Sequence, residues 1–222
     1  MCINFQAVRK KNLIEDFGLD VPDDWDWPEE IWQDMAAPII VDQGSGLTPL
    51  LASYGMIPKN HMPPGVRITT MNARSETVGF KPSFRDVWIQ FQFCLVPMLG
   101  FYEPCYESGR AERMMIGVAG GGSFAVAGLY RVWESPNEEP SYSFTQLTIN
   151  ADSHPLMSRM HKPGDEKRSL VILPREKYGD WLRCRSAVTA RSLLTIFPGI
   201  QMVCTNLGTY KKATPVSQGG LV

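Results

Sequence analysis

The chain opens Met1-Cys2-Ile3-Asn4. If Met1 is removed, Cys2 presents an α-amine and a thiol on adjacent carbons. The amine titrates at about 7.7–8.0 and the thiol at about 8.5, so both offer some nucleophile near neutrality. A β-aminothiol of this kind condenses with an aldehyde: the amine forms an imine, the sulfur closes onto it, and a durable thiazolidine ring results. Without such a role, Cys2 is an ordinary buried residue at the start of a strand. Three more stretches carry polar groups in strand-end or loop settings: MNARSETV at 71–78, GFYEP at 100–104 and SRMHKP at 158–163. Asn72 can hold an amine or a sugar hydroxyl, because an amide both donates and accepts; it can equally end the preceding strand with a side-chain turn. Arg74 can pair with Glu76 or meet a phosphate with its planar fork. Glu103 lies among aromatic and apolar residues, a setting that disfavours carboxylate charge and suits a proton shuttle, or it is a strand carboxylate paired with an arginine. His161 is either a surface loop histidine or, beside Glu103, a general acid or base.

The chain that must position these groups has 222 residues, enough for one large domain with its own core. Its hydrophobic fraction of 44% and charged fraction of 20% are those of a globular protein. No run approaches a membrane span and no apolar signal core stands at the N-terminus, so a soluble, cytoplasmic protein is expected. The five cysteines, at 2, 94, 105, 184 and 204, are odd in number and irregularly spaced, without a CxxC, which argues against a disulfide framework. His61, His154 and His161 share no i, i+4 step, so no metal is expected. Net charge is −1, but residues 13–34 hold nine acids and no Lys or Arg; the remainder carries 22 basic against 14 acidic residues. That is either a solvated acidic loop on an ordinary surface or a basic face kept apart from an acidic flap, which would suit a phosphate backbone.

PSFRDVWIQF predicts a helix, with Phe84, Val87, Trp88 and Phe91 on one buried face and Ser83 with Asp86 as a capping box. INFQAV, PIIV, RITTM, FCLVP, MMIGVA, SFAVAGLY, SFTQLTIN and LVILP predict strands, and GGGS at 120–123 a hairpin turn. Residues 18–29 and 59–65 predict loops, and about 174–183 and 186–195 helices. Strands in runs, without a helix between each pair, favour an α+β fold: a mostly antiparallel, curved sheet with a barrel-like core and a few flanking helices.

Taken in order, these stretches resemble the SRAP (SOS-response-associated peptidase) family, whose members sense abasic sites in single-stranded DNA. The family's opening Met-Cys stands as Met1-Cys2. Its NAR-x-E-T motif is Asn72-Ala73-Arg74-Ser75-Glu76-Thr77, followed by Phe80-Lys81-Pro82. Its CL-x-P-x-x-GFYEW motif is Cys94 to Glu103, with Pro104 in place of Trp. Its AGLW strand is Ala127-Gly128-Leu129-Tyr130, and its last block is Thr148 to Ala151, then His161, then Arg168 to Leu173. The likeness runs over residues 1–182 within a single domain of 1–222.

The resemblance implies that Cys2, freed of Met1 by autoproteolysis, attacks the C1′ aldehyde of an abasic deoxyribose and forms a thiazolidine cross-link that shields the lesion. Asn72 would position the amine and the sugar, Glu103 shuttle protons, and His161 open the sugar ring. Arg74, Lys81 and Arg168 would touch DNA. It implies single-stranded DNA with abasic sites as partner, no cofactor, no metal, no membrane, a monomer, and nucleoid association in a bacterial cell. Where the family continues Cys-Gly-Arg this chain has Cys2-Ile3-Asn4; the family's Trp-Gly motif stands as Tyr54-Gly55-Met56-Ile57-Pro58; and KPGDEK lengthens the loop between His161 and Arg168. His154 is a rival for the histidine role. Two other functions stay open on the sequence: an N-terminal-nucleophile peptidase or amidase with another substrate, and a non-catalytic module that binds single-stranded DNA.

Overall fold

The computed structural model describes residues 2–44, 46–66 and 68–209; Met1 of the opening motif, Arg67 of RITTM, Ser45 and residues 210–222 lie outside them. In chain order the elements are β1 (Phe5–Ala7), α1 (Lys10–Phe17), β2 (Glu30–Ile31), β3 (Ala36–Asp42), β4 (Leu47–Tyr54), β5 (Asn72–Arg74), α2 (Pro82–Ile89), β6 (Phe93–Cys105), β7 (Glu112–Val118), β8 (Phe124–Trp133), β9 (Ser141–Asn150), β10 (Arg168–Leu170), β11 (Ile172–Leu173), α3 (Tyr178–Leu182), α4 (Ala187–Leu193) and β12 (Met202–Thr209). This is the α+β class that the strand runs indicate. Five strands close on themselves: β3 pairs with β4, β4 with β9, β9 with β8, β8 with β6, and β6 with β3. All these pairings are antiparallel except β4 with β9.

The 13-residue β6 organises the molecule. Its first half, Phe93–Met98, pairs with β8, and its second half, Phe101–Cys105, pairs with β7. GGGS is therefore not a hairpin turn: β7 and β8 lie on successive halves of β6, and Gly120, Gly121 and Gly122, all at positive φ, carry the chain between them. Alternation along β6 serves two apolar compartments. Cys94, Val96, Met98 and Phe101 join Phe5, Tyr54 and Phe144 in one cluster, whereas Phe93 and Leu95 join Leu13, Trp88 and Trp181 in the other. With both faces buried, the strand shows no polar alternation. α3 seals the second compartment: the Trp181 ring stacks on Phe93 at 4.2 Å between centroids and its Nε1–H donates to the Cys94 carbonyl at 2.9 Å.

Other differences from the sequence expectations have local causes. Residues 68–70 form no strand; the pairing moves to β5, the NAR motif itself, which runs parallel to β9. α2 starts at Pro82 with Lys81 as its N-cap and no side-chain cap. Proline's fixed φ starts the helix there and brings no N–H to satisfy, and Asp86 pairs with Arg85 instead of closing a capping box. The acidic segment is not a separate flap. It includes part of α1 and all of β2, and among the described residues three of its nine carboxylates are tied to cations distant in sequence: Glu29 to Arg9, Glu30 to Arg113, Asp16 to Arg175. Among the described residues no helix is long and apolar enough to cross a membrane.

Candidate active site

Three registers converge on one place. β1 lies antiparallel to β6 with Phe5 opposite Phe101, and Tyr102 N–H donates to the Asn4 carbonyl at 3.3 Å, so the chain upstream of β1 runs along Glu103 and Pro104. Gly100 permits the close passage of β7 at this point: a Cβ there would stand 2.7 Å from the Met115 methyl and 3.0 Å from the Ile116 carbonyl. β5 sets Asn72 opposite Gln146 on β9, and β4 sets Tyr54 opposite Phe144 two residues earlier on the same strand.

Cys2 is buried, and its thiol donates to the Asn4 carbonyl at 3.1 Å. Asn72 Nδ2 donates to the Cys2 carbonyl at 2.5 Å. The Tyr54 hydroxyl lies 3.0 Å from Gln146 Oε1, which takes its one proton, and 3.4 Å from the Cys2 carbonyl. Burial, reinforced by the nearby Glu103 carboxylate, holds the Cys2 thiol well above its usual range. At neutral pH the sulfur is therefore protonated.

Glu103 is 2% exposed and its Oε2 stands 3.0 Å from His161 Nε2, itself 5% exposed. His161 reaches this position through a left-handed backbone, φ 63°, that a histidine adopts at a cost. Two contacts hold it there: its own N–H donates to the Pro104 carbonyl at 2.7 Å, and Lys167 Nζ donates to the carbonyls of Met160 at 2.7 Å and Lys162 at 2.9 Å. Lys167 closes the KPGDEK stretch, so the lengthened loop supplies its own clamp. Ile3, Tyr102, Tyr106 and Lys162 line the cleft above Glu103 and His161, a space of about 340 Å³.

The structure thus brings Cys2, Asn72, Glu103 and His161 together. It sets His154 apart from them. The His154 ring is fully occupied: Nε2 meets the Phe197 carbonyl at 2.9 Å, and Nδ1 accepts from Met157 N–H at 2.9 Å and Leu156 N–H at 3.2 Å. Arg74, its side chain 47% exposed, pairs with Glu166 at 2.6 Å on the rim, and Lys81 is exposed where α2 begins.

Arg168 has a different task from the expected DNA contact. It is 2% exposed, and its guanidinium donates to Glu76 at 2.8 and 3.0 Å, to Glu166 at 2.8 Å and to the Thr148 carbonyl at 2.8 Å. It ties the turn after β5 to β9 and steadies the strand that carries Asn72. Lysine keeps the charge but not the fork. Arg168→Lys should lower unfolding stability by about 2–3 kcal/mol in urea titrations at pH 7, the worth of roughly one charge-assisted hydrogen bond. The Arg168 hydrogen bond holds the Glu166 carboxyl below its ordinary range. A depressed carboxyl stabilises the fold above its unfolded-state value and loses that contribution as pH falls, so the gap between wild type and variant should narrow below about pH 4.

Two site residues escape sequence reasoning. Tyr54 figures there only as the remnant of a motif. Gln146 is hidden inside a strand pattern, although a glutamine there, 0% exposed in the fold, is the kind of polar residue that needs a partner.

A family model described as SOS response associated peptidase (SRAP) matches residues 1–211. The chain belongs to the SRAP family. Over 144 residues this SRAP protein is 31% identical to "Abasic site processing protein YoqW" of Bacillus subtilis (strain 168), and 29% identical to "Abasic site processing protein YoaM" of the same organism. Each match takes in 64% of this chain and spans only 61% and 60%, respectively, of the relative's length. A protein of known structure from Bordetella bronchiseptica superposes with a TM-score of 0.81 at 31% identity, covering 93% of this chain and 99% of that one. Another from Bacteroides thetaiotaomicron gives 0.73 at 22% identity over 92% and 91%, a likeness of fold alone.

Proposed function

We propose that this SRAP protein processes abasic sites by covalent capture: after Met1 is removed, the Cys2 amine and thiol together trap the C1′ aldehyde of an abasic deoxyribose in single-stranded DNA as a thiazolidine. The observation that carries the reading is the placement of a buried Cys2, its carbonyl gripped by Asn72, against the Glu103–His161 pair. The names of the curated Bacillus relatives point to the same lesion.

The chemistry follows from the groups present. The neutral amine adds to C1′, giving a carbinolamine; a proton from Glu103 lets water leave and an iminium forms. Glu103, returned to its carboxylate, then takes the thiol proton. Sulfur adds to C1′ of the iminium, closing the five-membered ring with a neutral N–H nitrogen and Glu103 protonated as at the start. One water is lost overall and nothing is oxidised or reduced. Because the thiol is held protonated, the base must act at the moment of ring closure, which is why a carboxylate beside the sulfur suits the step. His161 serves the preceding step, moving a proton to the ring oxygen as the sugar opens to its aldehyde. Asn72, by fixing the Cys2 carbonyl, fixes the direction of the amine. Arg74 and Lys81 hold the flanking phosphates. The same nucleophile and proton shuttle would release Met1 autocatalytically, giving the family's peptidase character.

The test is incubation with three single strands: one with an abasic site, one intact, and one carrying a tetrahydrofuran analogue that has no aldehyde. The account expects a protein–DNA band that survives heat and denaturant with the first alone, from protein whose intact mass lacks one methionine. A band of equal strength with the analogue, or none with any strand, contradicts it.

A further inference from the structure

Asn72 and Gln146 face each other directly where β5 runs parallel to β9, so their amide heads leave the sheet on one face as neighbours. Each head is half used. Asn72 Nδ2 donates to the Cys2 carbonyl, and among the described residues Asn72 Oδ1 has no hydrogen-bond partner. Gln146 Oε1 accepts from Tyr54, and Gln146 Nε2 has none. Both unused atoms are buried, and Gln146 as a whole is 0% exposed. Buried amide atoms are almost always paired, so a free acceptor beside a free donor marks a place for a ligand group. One functional group satisfies both at once by donating to the first and accepting from the second: a hydroxyl.

We propose that Gln146, ordered by Tyr54, completes with Asn72 a hydroxyl-binding site beside Cys2, and that its ligand is the hydroxyl released at C4′ when the abasic sugar opens. The proposal rests on the aldehyde-capture reading above. Ring opening breaks the C1′–O4′ bond; the C1′ hydroxyl gives up its proton and becomes the aldehyde, and O4′ gains a proton and becomes a hydroxyl. That new hydroxyl exists only in the reactive open form. A site that binds it holds the aldehyde open while the amine attacks. Tyr54 is a positioning residue here: its proton on Oε1 fixes which end of the Gln146 amide presents N–H to the site.

Two small aldehydes test this with Met1-processed protein. 4-Hydroxybutanal copies C1′ to C4′ with the terminal hydroxyl, and butanal lacks the hydroxyl. Adducts are counted by mass as the aldehyde added less one water. Gln146→Leu should slow adduct formation with 4-hydroxybutanal about five- to tenfold more than with butanal, the factor expected for one neutral hydrogen bond. Taking the ratio of variant to wild type for each aldehyde cancels the tendency of 4-hydroxybutanal to cyclise. Tyr54→Phe should shift the ratio in the same direction by less. Equal slowing of both aldehydes, or no slowing of either, overturns the proposal and leaves Gln146 a structural residue. If wild-type protein makes an adduct with neither aldehyde, the capture reading itself falls and this inference with it.

Discussion

A Cys2→Ser protein whose Met1 is removed by added methionine aminopeptidase keeps its α-amine and loses the heat-stable cross-link by at least about 100-fold, because the group that makes the product durable is the sulfur and not the amine. The amine still condenses with the C1′ aldehyde. Borohydride should therefore trap a covalent adduct in the serine variant at a level comparable to wild type, whereas without borohydride the adduct hydrolyses on heating. The pair of results separates the two halves of the aminothiol. A Cys2 that is merely a core residue would lose both signals together through misfolding, and an adduct formed on a surface lysine would lose neither. Serine suits the site sterically: it is close in size to cysteine, and its hydroxyl can donate to the Asn4 carbonyl that now accepts from the thiol at 3.1 Å.

Glu103→Gln should slow cross-linking by about 10²–10³, the usual contribution of a positioned general acid–base group, while DNA affinity changes by less than about twofold. Its second signature has the opposite sign. The Glu103 carboxylate contributes, after burial, to raising the Cys2 thiol. Glutamine removes that negative charge, so the thiol of the variant ionises at lower pH. Alkylation of Cys2 by iodoacetamide, followed against pH, should move its midpoint down even though ring formation has become slower. A purely structural glutamate would be expected to impair both or neither. Falling cross-link rate with rising thiol acidity is the mark of a lost proton shuttle, since a more available thiolate alone would speed the reaction.

How much of this is legible in the residues depends on how locally each feature is encoded. β8 and β9 are readable because β-branched and aromatic residues make up half of each 10-residue strand. β6 reads only as FCLVP, because Pro97 resembles a strand end; in the fold the strand runs through Pro97 and Pro104 to Cys105, and the pairing with β1 slips by a bulge between Gln6 and Ala7 opposite this region. The β3–β4 hairpin is half hidden for the same reason, with Pro38 and Pro49 inside its strands. β12 has a mostly exposed face and gives no apolar pattern. Among the site residues, Cys2, Asn72, Glu103 and His161 are legible as chemistry. Their meeting is not, since it depends on the registers of β1 against β6 and β5 against β9, which local sequence does not encode. Arg168 shows the converse: the family resemblance makes it a candidate DNA contact, and only its burial against Glu76 and Glu166 reveals a tie within the fold.

The central claim is that Cys2, through both its nitrogen and its sulfur, becomes the point of attachment to the lesion. Peptide mass analysis of the purified cross-link, digested by protease and nuclease, tests it directly. The account predicts that the modified peptide begins at Cys2 and carries the deoxyribose remnant less one water. It should gain no further mass with borohydride and should contain no free thiol at Cys2. A remnant on a lysine, an adduct that takes up two hydrogens on reduction, or a modified peptide still beginning at Met1 would contradict it.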